Sequence, residues 1–532
     1  MPNTGYLLGV RAIITLCLCL SGPSQSLAQE WTLRVKPRGV VRIVDLMAPD
    51  SSAWQAYGEG LVNVDKDNNH VACLARDWRW VGDRAIEFRL REGVRFQNGE
   101  RFDAEALKTN WEAYKEMEQP RYIPSTGLPD ETVFEIIDDY RVRFTFPEPD
   151  AFALVKFRWF IQIAPAFLTN NQFKEKNWAR LTEGGPWGTG PFRLVKGSVL
   201  WGSTSPQVIL EANEDYWDER YPRVKRVVFE NSLMGDREEA VRLCMDEEGD
   251  LDIVTFLRPL DTLKVAESRY AKVVKNKALI WFGGYFNQRK KDSKWRDLRL
   301  REAVNYAINR EELQRYGAKG NAYNLGAPLA GVLPLYPEVP PFTYDTKKAK
   351  SLLAAAGYPD GFEVHIITHE AWKLEAHIIG TMLERIGMKV KLDVLRYPDF
   401  VRKRYIPLME KPPEEQEWDV AIAHEFAYAG LGIPFFSIYL KDNDFRMTER
   451  APMLERMFEE LAVTVDPEGH REKLRAIANY VHKQAMNLEI YSPMALYAVN
   501  KQVDFVPYQD LFLRLKEISL NDNHWSIRDE NN

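Results

Sequence analysis

Two His-Glu pairs are the residues of this chain best suited to chemistry: His369-Glu370 in "FEVHIITHEAW" and His424-Glu425 in "WDVAIAHEFAYAG". A zinc-peptidase helix would need a second His four residues on, so that one helix face offers both ligands. Lys373 stands there in "HEAWK" and Tyr428 in "HEFAY", so neither pair completes the motif. The sequence also has no G-x-S-x-G nucleophile elbow, no phosphate-cradling G-x-x-x-x-G-K-[ST] and no Cys-x-x-Cys. Both pairs instead follow short apolar runs, and ligands of open parallel sheets gather beyond the carboxyl ends of strands. His369, Glu370, Trp372, His424, Glu425, Phe426 and Tyr428 are therefore expected to converge on one cleft. Trp187 and Tyr285 are further candidates for its aromatic wall. The competing reading is a set of loop residues satisfied by neighbours or water.

The elements that must position these residues are legible in the pattern. "AIEFRL" alternates apolar and polar positions as a strand does, and "ETVFEIIDDYRVRFTF" reads as a hairpin about Asp138-Asp139. Asp103 caps a helix with Leu107, Trp111 and Tyr114 on one face, and Asp236 with Glu239 forms a capping box. Asn309 and Glu312 cap another helix that stops at Gly317. From Asp345 the order is helix to Gly357, strand "FEVHIIT", helix to Gly387, strand "MKVKLDV", then strand "WDVAIA". Short links between these elements predict a right-handed crossover and a parallel pair.

The chain has 532 residues, 45% hydrophobic and 28% charged, which suits a soluble protein of two or three lobes. A net charge of −6 argues against a nucleic-acid partner. At the start, Arg11 precedes the apolar run "AIITLCLCL", and "SLA" ends at Ala28 with small residues at the cleavage positions. This reads as an export signal spanning 1–28, with no lipid-anchor pattern around Cys17 or Cys19. The mature chain keeps Cys73 and Cys244, either as a disulfide or as two buried thiols.

Five stretches in order, "HVACLARDWRWVGDRAIEFRLREGVRFQNGERFDAEALKTNW", "GTGPFRL", "EANEDYW", "FNQRKKDSKWRDLRLREAVNYAINREEL" and "YDTKKAKSLLAAAGYPDGF", resemble the extracellular solute-binding proteins of family 5. These are the peptide, nickel and dipeptide-type receptors of ABC importers. The resemblance implies an α/β, type II periplasmic-binding-protein-like fold, with two lobes closing on a ligand and a third at the side. Mapped here, lobe I takes 29–58, 188–280 and 498–532, lobe II takes 59–187, and lobe III takes 281–497. Aligned from Asp419, the Asp by which peptide-binding members anchor an ammonium falls on Tyr428, and the family Trp falls on Glu425. Glu425 or Glu370 is left to stand in for that carboxylate.

The resulting expectation is a periplasmic, monomeric, non-catalytic receptor that needs no cofactor or metal. It captures a small-molecule or peptide solute by hinge closure and hands it to an ABC importer permease. A peptide-like or other amino-containing solute leads, an oligosaccharide or metal chelate follows, and a secreted hydrolase is the rival class.

Overall fold

The computed structural model of the chain describes residues 34–46, 49–116, 128–170, 185–198, 205–246, 248–328, 338–404, 411–426, 439 and 446–528. The export signal expected at 1–28 and the candidate Tyr428 lie outside them. Among the described residues no helix is long and apolar enough to cross a membrane.

Three sheets carry the fold. A seven-stranded sheet runs in the order Ala271–Asn276, Ala495–Asn500, Ile253–Val254, Arg38–Val44, Val224–Glu230, Gln207–Ala212, Phe192–Lys196. A six-stranded sheet runs Ala322–Tyr323, Asn487–Pro493, Ile280–Phe286, Val420–Phe426, Glu363–His369, Lys389–Leu395. A four-stranded antiparallel sheet lies between the first two segments of the seven-stranded one in sequence, in the order Ala75–Val81, Ala85–Leu90, Arg141–Thr145, Val133–Asp138. Caps act where the sequence places them. Asp103 accepts from Ala106 N (3.0 Å), Asp236 from Glu239 N (3.0 Å), Asn309 from Glu312 N (3.1 Å) and Asp345 from Lys348 N (2.9 Å). Each satisfies an amide that a helix start would otherwise leave unpaired. The carboxylate of Glu239 pairs with Arg242 instead of completing a capping box.

Strand Glu363–His369, helix Lys373–Glu384 and strand Lys389–Leu395 form the expected crossover, and the two strands pair in parallel. Strand Val420–Phe426 lies parallel to the first of them, with Thr368 beside Ile422, so His369 ends one strand and His424 lies two residues before the end of its neighbour. The apolar run of this third strand ends at Ala423, but the strand does not. It continues through His424, Glu425 and Phe426 because Ile280–Phe286 pairs with it antiparallel along its whole length.

Among the described residues, two segments pass between the seven- and six-stranded sheets: residues 277–279 and Met494. Their flanks are linked: Ser492 Oγ donates to Ile280 O (2.5 Å), and Tyr323 OH donates to Ala278 O (3.2 Å).

The four-stranded lobe leaves and rejoins the chain at one place. Gly190 N donates to Tyr57 O (3.0 Å), and between them lies the buried carboxylate of Glu59. Glu59 accepts from Tyr216 OH (2.6 Å), Trp217 Nε1 (2.9 Å), Thr189 Oγ1 (3.0 Å) and Cys73 Sγ (3.6 Å). Thus "GTGPFRL" and "EANEDYW" supply donors to one buried charge, which needs them all. Cys73 and Cys244 are both free and buried. A Cβ on Gly188 would sit 1.9 Å from Tyr57 O, and one on Gly190 would sit 2.5 Å from Ala56 O. Gly188→Ala is accordingly expected to lower stability by about 1–3 kcal/mol through overpacking against backbone. A urea midpoint equal to wild type would contradict this close approach.

Candidate functional site

His369 is buried at the end of its strand, and the chain then turns through the short helix Glu370–Trp372. That turn throws the Trp372 indole onto the face of Phe282, with ring centres 4.3 Å apart and stacked. From there Trp372 Nε1 donates to His424 Nδ1 at 2.6 Å. His369 lies 5.5 Å from His424, ring to ring, and 5.5 Å from Phe400. Phe426, two residues along the same face as His424, packs edge-on against it at 4.5 Å. Four sequence candidates, His369, Trp372, His424 and Phe426, therefore form one cluster.

Residues of the seven-stranded sheet's lobe reach the same place. Phe256 follows strand Ile253–Val254 with φ +56°, a conformation that bulky side chains rarely adopt. Its ring lies 5.8 Å from Phe426 and 6.3 Å from His424. The Arg237 guanidinium sits over the Phe256 ring at 5.8 Å. The cluster is thus built from both sides of the two-segment crossing. An observed strained residue at such a junction is a reason to look for function there.

Electrostatically the cluster is short of negative charge. Burial pushes His369 down to about 4, with Arg404 and Arg237 adding to the effect. Burial likewise holds His424 well below the ordinary histidine range, helped by His369 and Arg404. Both imidazoles are neutral near pH 7.

The other candidates fall elsewhere. Glu425 alternates to the opposite face of its strand from His424 and is ion-paired with Arg404. Arg404 in turn lies 4.7 Å over the ring of Tyr285, which is buried in the core beside Trp281. Glu370 is exposed at the rim. Trp187 packs on Phe167 (4.5 Å) at the root of the four-stranded lobe. Sequence reasoning missed Phe256, Arg237, Arg404 and Phe400. A positive φ at Phe256 leaves no mark in the sequence, and the two arginines sit among many.

A cavity of about 190 Å³ lies at the other end of these strands, lined by His365, Arg402, Lys403, Lys411, Glu415 and Trp418 among others. It opens at the strand starts, where His365 pairs with Asp393 (2.8 Å). That is the wrong end for a ligand of this sheet type. Among the described residues no three His, Cys, Asp or Glu side chains assemble as a metal site.

Residues 69–447 match the model of bacterial extracellular solute-binding proteins, family 5 (Middle). The chain is 25% identical over 356 residues to the glutathione-binding protein GsiB of Salmonella paratyphi A, covering 64% of each. It is 29% identical over 344 residues to the nickel-binding periplasmic protein of Escherichia coli, covering 61% of this chain and 60% of that protein. The match thus spans somewhat under two thirds of these relatives' length. Among solved structures, the ABC transporter substrate-binding protein CtaP of Listeria monocytogenes superposes with a TM-score of 0.78 at 19% identity, over 91% of this chain and 100% of that one. That likeness is one of fold: a type II periplasmic-binding-protein architecture.

Proposed function

Because the chain belongs to the bacterial extracellular solute-binding proteins of family 5, we propose that it is the periplasmic receptor of an ABC importer, binding its solute at the His369–Trp372–His424–Phe426–Phe256 cluster. The observation that carries this reading is that one aromatic and imidazole cluster is assembled from both lobes across just two connecting segments. A solute touching both walls favours the closed arrangement by its differential contacts, and closure is then the signal that the permease reads. The receptor acts as a monomer without catalysis or nucleic acid, and the export signal delivers it to the periplasm. Its relatives' names, glutathione-binding and nickel-binding, support a small solute.

The chain should compact when a solute is bound. Small-angle scattering on the mature protein, with and without a saturating solute chosen by thermal-shift screening, is expected to show a smaller radius of gyration in the bound form. Equal dimensions would speak against a closing trap, and turnover of the solute would favour the secreted hydrolase.

A further inference from the structure

The receptor reading leaves the chemical class of the solute open, and the proton positions at the cluster narrow it. A neutral imidazole has one donor and one acceptor nitrogen. At His424 the acceptor is fixed: Nδ1 takes the indole N–H of Trp372 at 2.6 Å, so Nε2 carries the hydrogen. At His369 Nδ1 takes the Ala371 N–H (3.3 Å), so its Nε2 is also the protonated atom. To offer a metal a lone pair from Nε2, His424 would have to protonate Nδ1 and face a second donor, the indole.

The charges point the same way. Arg237 makes no hydrogen bond or ion pair among the described residues, and its Nε is buried. Asp261, whose charge reaches Arg237, is held by Arg258 (2.7 Å). Glu425, the carboxylate expected to anchor a cation, is taken by Arg404 on the other face of its strand. A half-buried guanidinium with no counter-charge is costly, and a carboxylate or phosphate on the solute would supply that charge.

Resting on the receptor reading, we infer that the cluster recognises an anionic, acceptor-bearing group, a carboxylate or phosphate, with Arg237 and the Nε2–H of His424 as its donors and Phe256 and Phe426 flanking the body of the solute. It is not a site for a free ammonium or for a bare metal ion.

Calorimetry and thermal shift on the mature protein test this with five probes at millimolar concentration. They are inorganic phosphate, citrate, an N-acetylated dipeptide acid, the same dipeptide with a free amine and an amidated carboxyl end, and nickel chloride. At least one of the first three binds, and which one does separates a phosphate from a carboxylate requirement. Arg237→Ala then weakens it by roughly tenfold to a hundredfold, the worth of a hydrogen bond to a charged group. Arg237→Lys recovers part of the loss, and the unliganded melting temperature stays near wild type because Arg237 makes no hydrogen bond or ion pair among the described residues.

The inference is overturned if none of the three anions binds, if the anion binds Arg237→Ala as tightly as wild type, or if nickel alone or the amidated dipeptide is the tightest probe. In that last case compaction on binding would leave the receptor reading standing, so the two failures are distinguishable.

Discussion

Replacing Asp510 by Ala lowers the stability of the folded chain by about 3–5 kcal/mol, the cost of leaving buried charge without its partner. Asp510 is 2% exposed and accepts from Arg514 Nη2 (2.6 Å) and from Arg158. Both guanidinium groups are themselves buried, at 4% exposure for Arg158 and 7% for Arg514. Burial alone would push the Asp510 carboxyl up, yet Arg514 and Arg158 hold it below the usual carboxylate range. One carboxylate thus neutralises two cations where the four-stranded lobe meets the C-terminal segment. Asp510→Asn, which keeps a hydrogen-bonding shape but no charge, should lose less. Urea unfolding followed by circular dichroism gives the comparison, and a loss under about 1 kcal/mol, the range of an exposed pair, would mean that the pair is not buried in solution.

The second large effect depends on pH. Glu489 is 1% exposed and accepts from Trp281 Nε1 (2.7 Å) and Asn487 Nδ2 (3.2 Å). Burial raises its carboxyl from 4.5 to about 7, against those two hydrogen bonds and the charge of Arg310. Below 4.5 both folded and unfolded chains hold the proton, so this group does not penalise folding. As pH rises to 7 the unfolded chain releases the proton while the folded chain keeps it, and stability falls through that window. Above it the folded chain carries a buried carboxylate that costs about 3 kcal/mol. Glu489→Gln should remove this slope, so the variant gains on wild type between about pH 5 and about pH 8. Urea midpoints that fall in parallel for the two proteins would show that Glu489 ionises as an ordinary carboxylate.

The crossover around helix Lys373–Glu384 was readable because Gly357 and Gly387, both at positive φ, each end a helix shortly before a strand. The strand Val420–Phe426 was readable only as far as Ala423. Its last three residues owe their extension to Trp281 and its neighbours, about 140 positions earlier, and local polarity argues against them. The histidines and Trp372 were legible as a group because the parallel register puts strand ends together. Glu425 was not legible as a paired group, since its partner Arg404 comes from a different element and from the opposite face. Phe256 enters the cluster from the other lobe through a backbone conformation that no residue type announces, and Arg237 lies over its ring. Tyr428, on which the resemblance places the ammonium-anchoring Asp of peptide-binding members, lies outside the described residues.

The shared doorway of the four-stranded lobe has a consequence for how such a chain can change over generations. Tyr57 and Gly190 are joined by a 3.0 Å hydrogen bond, so everything between them is a closed excursion from the seven-stranded sheet. Closing a loop whose ends already touch demands little of its length, because the entropic cost grows only slowly with residues added. Insertions, exchanges or wholesale loss between those two points need not shift the register of a single strand in the seven- and six-stranded sheets. What such an event must replace includes a carboxylate at Glu59 for the donors gathered there, a cation at Arg158 for Asp510, and the contacts of Ala151 N with Ala462 O and of Phe152 with His470. The lobe is therefore a cassette whose joins include two charged contacts, separable from the rest of the chain wherever its joins are remade.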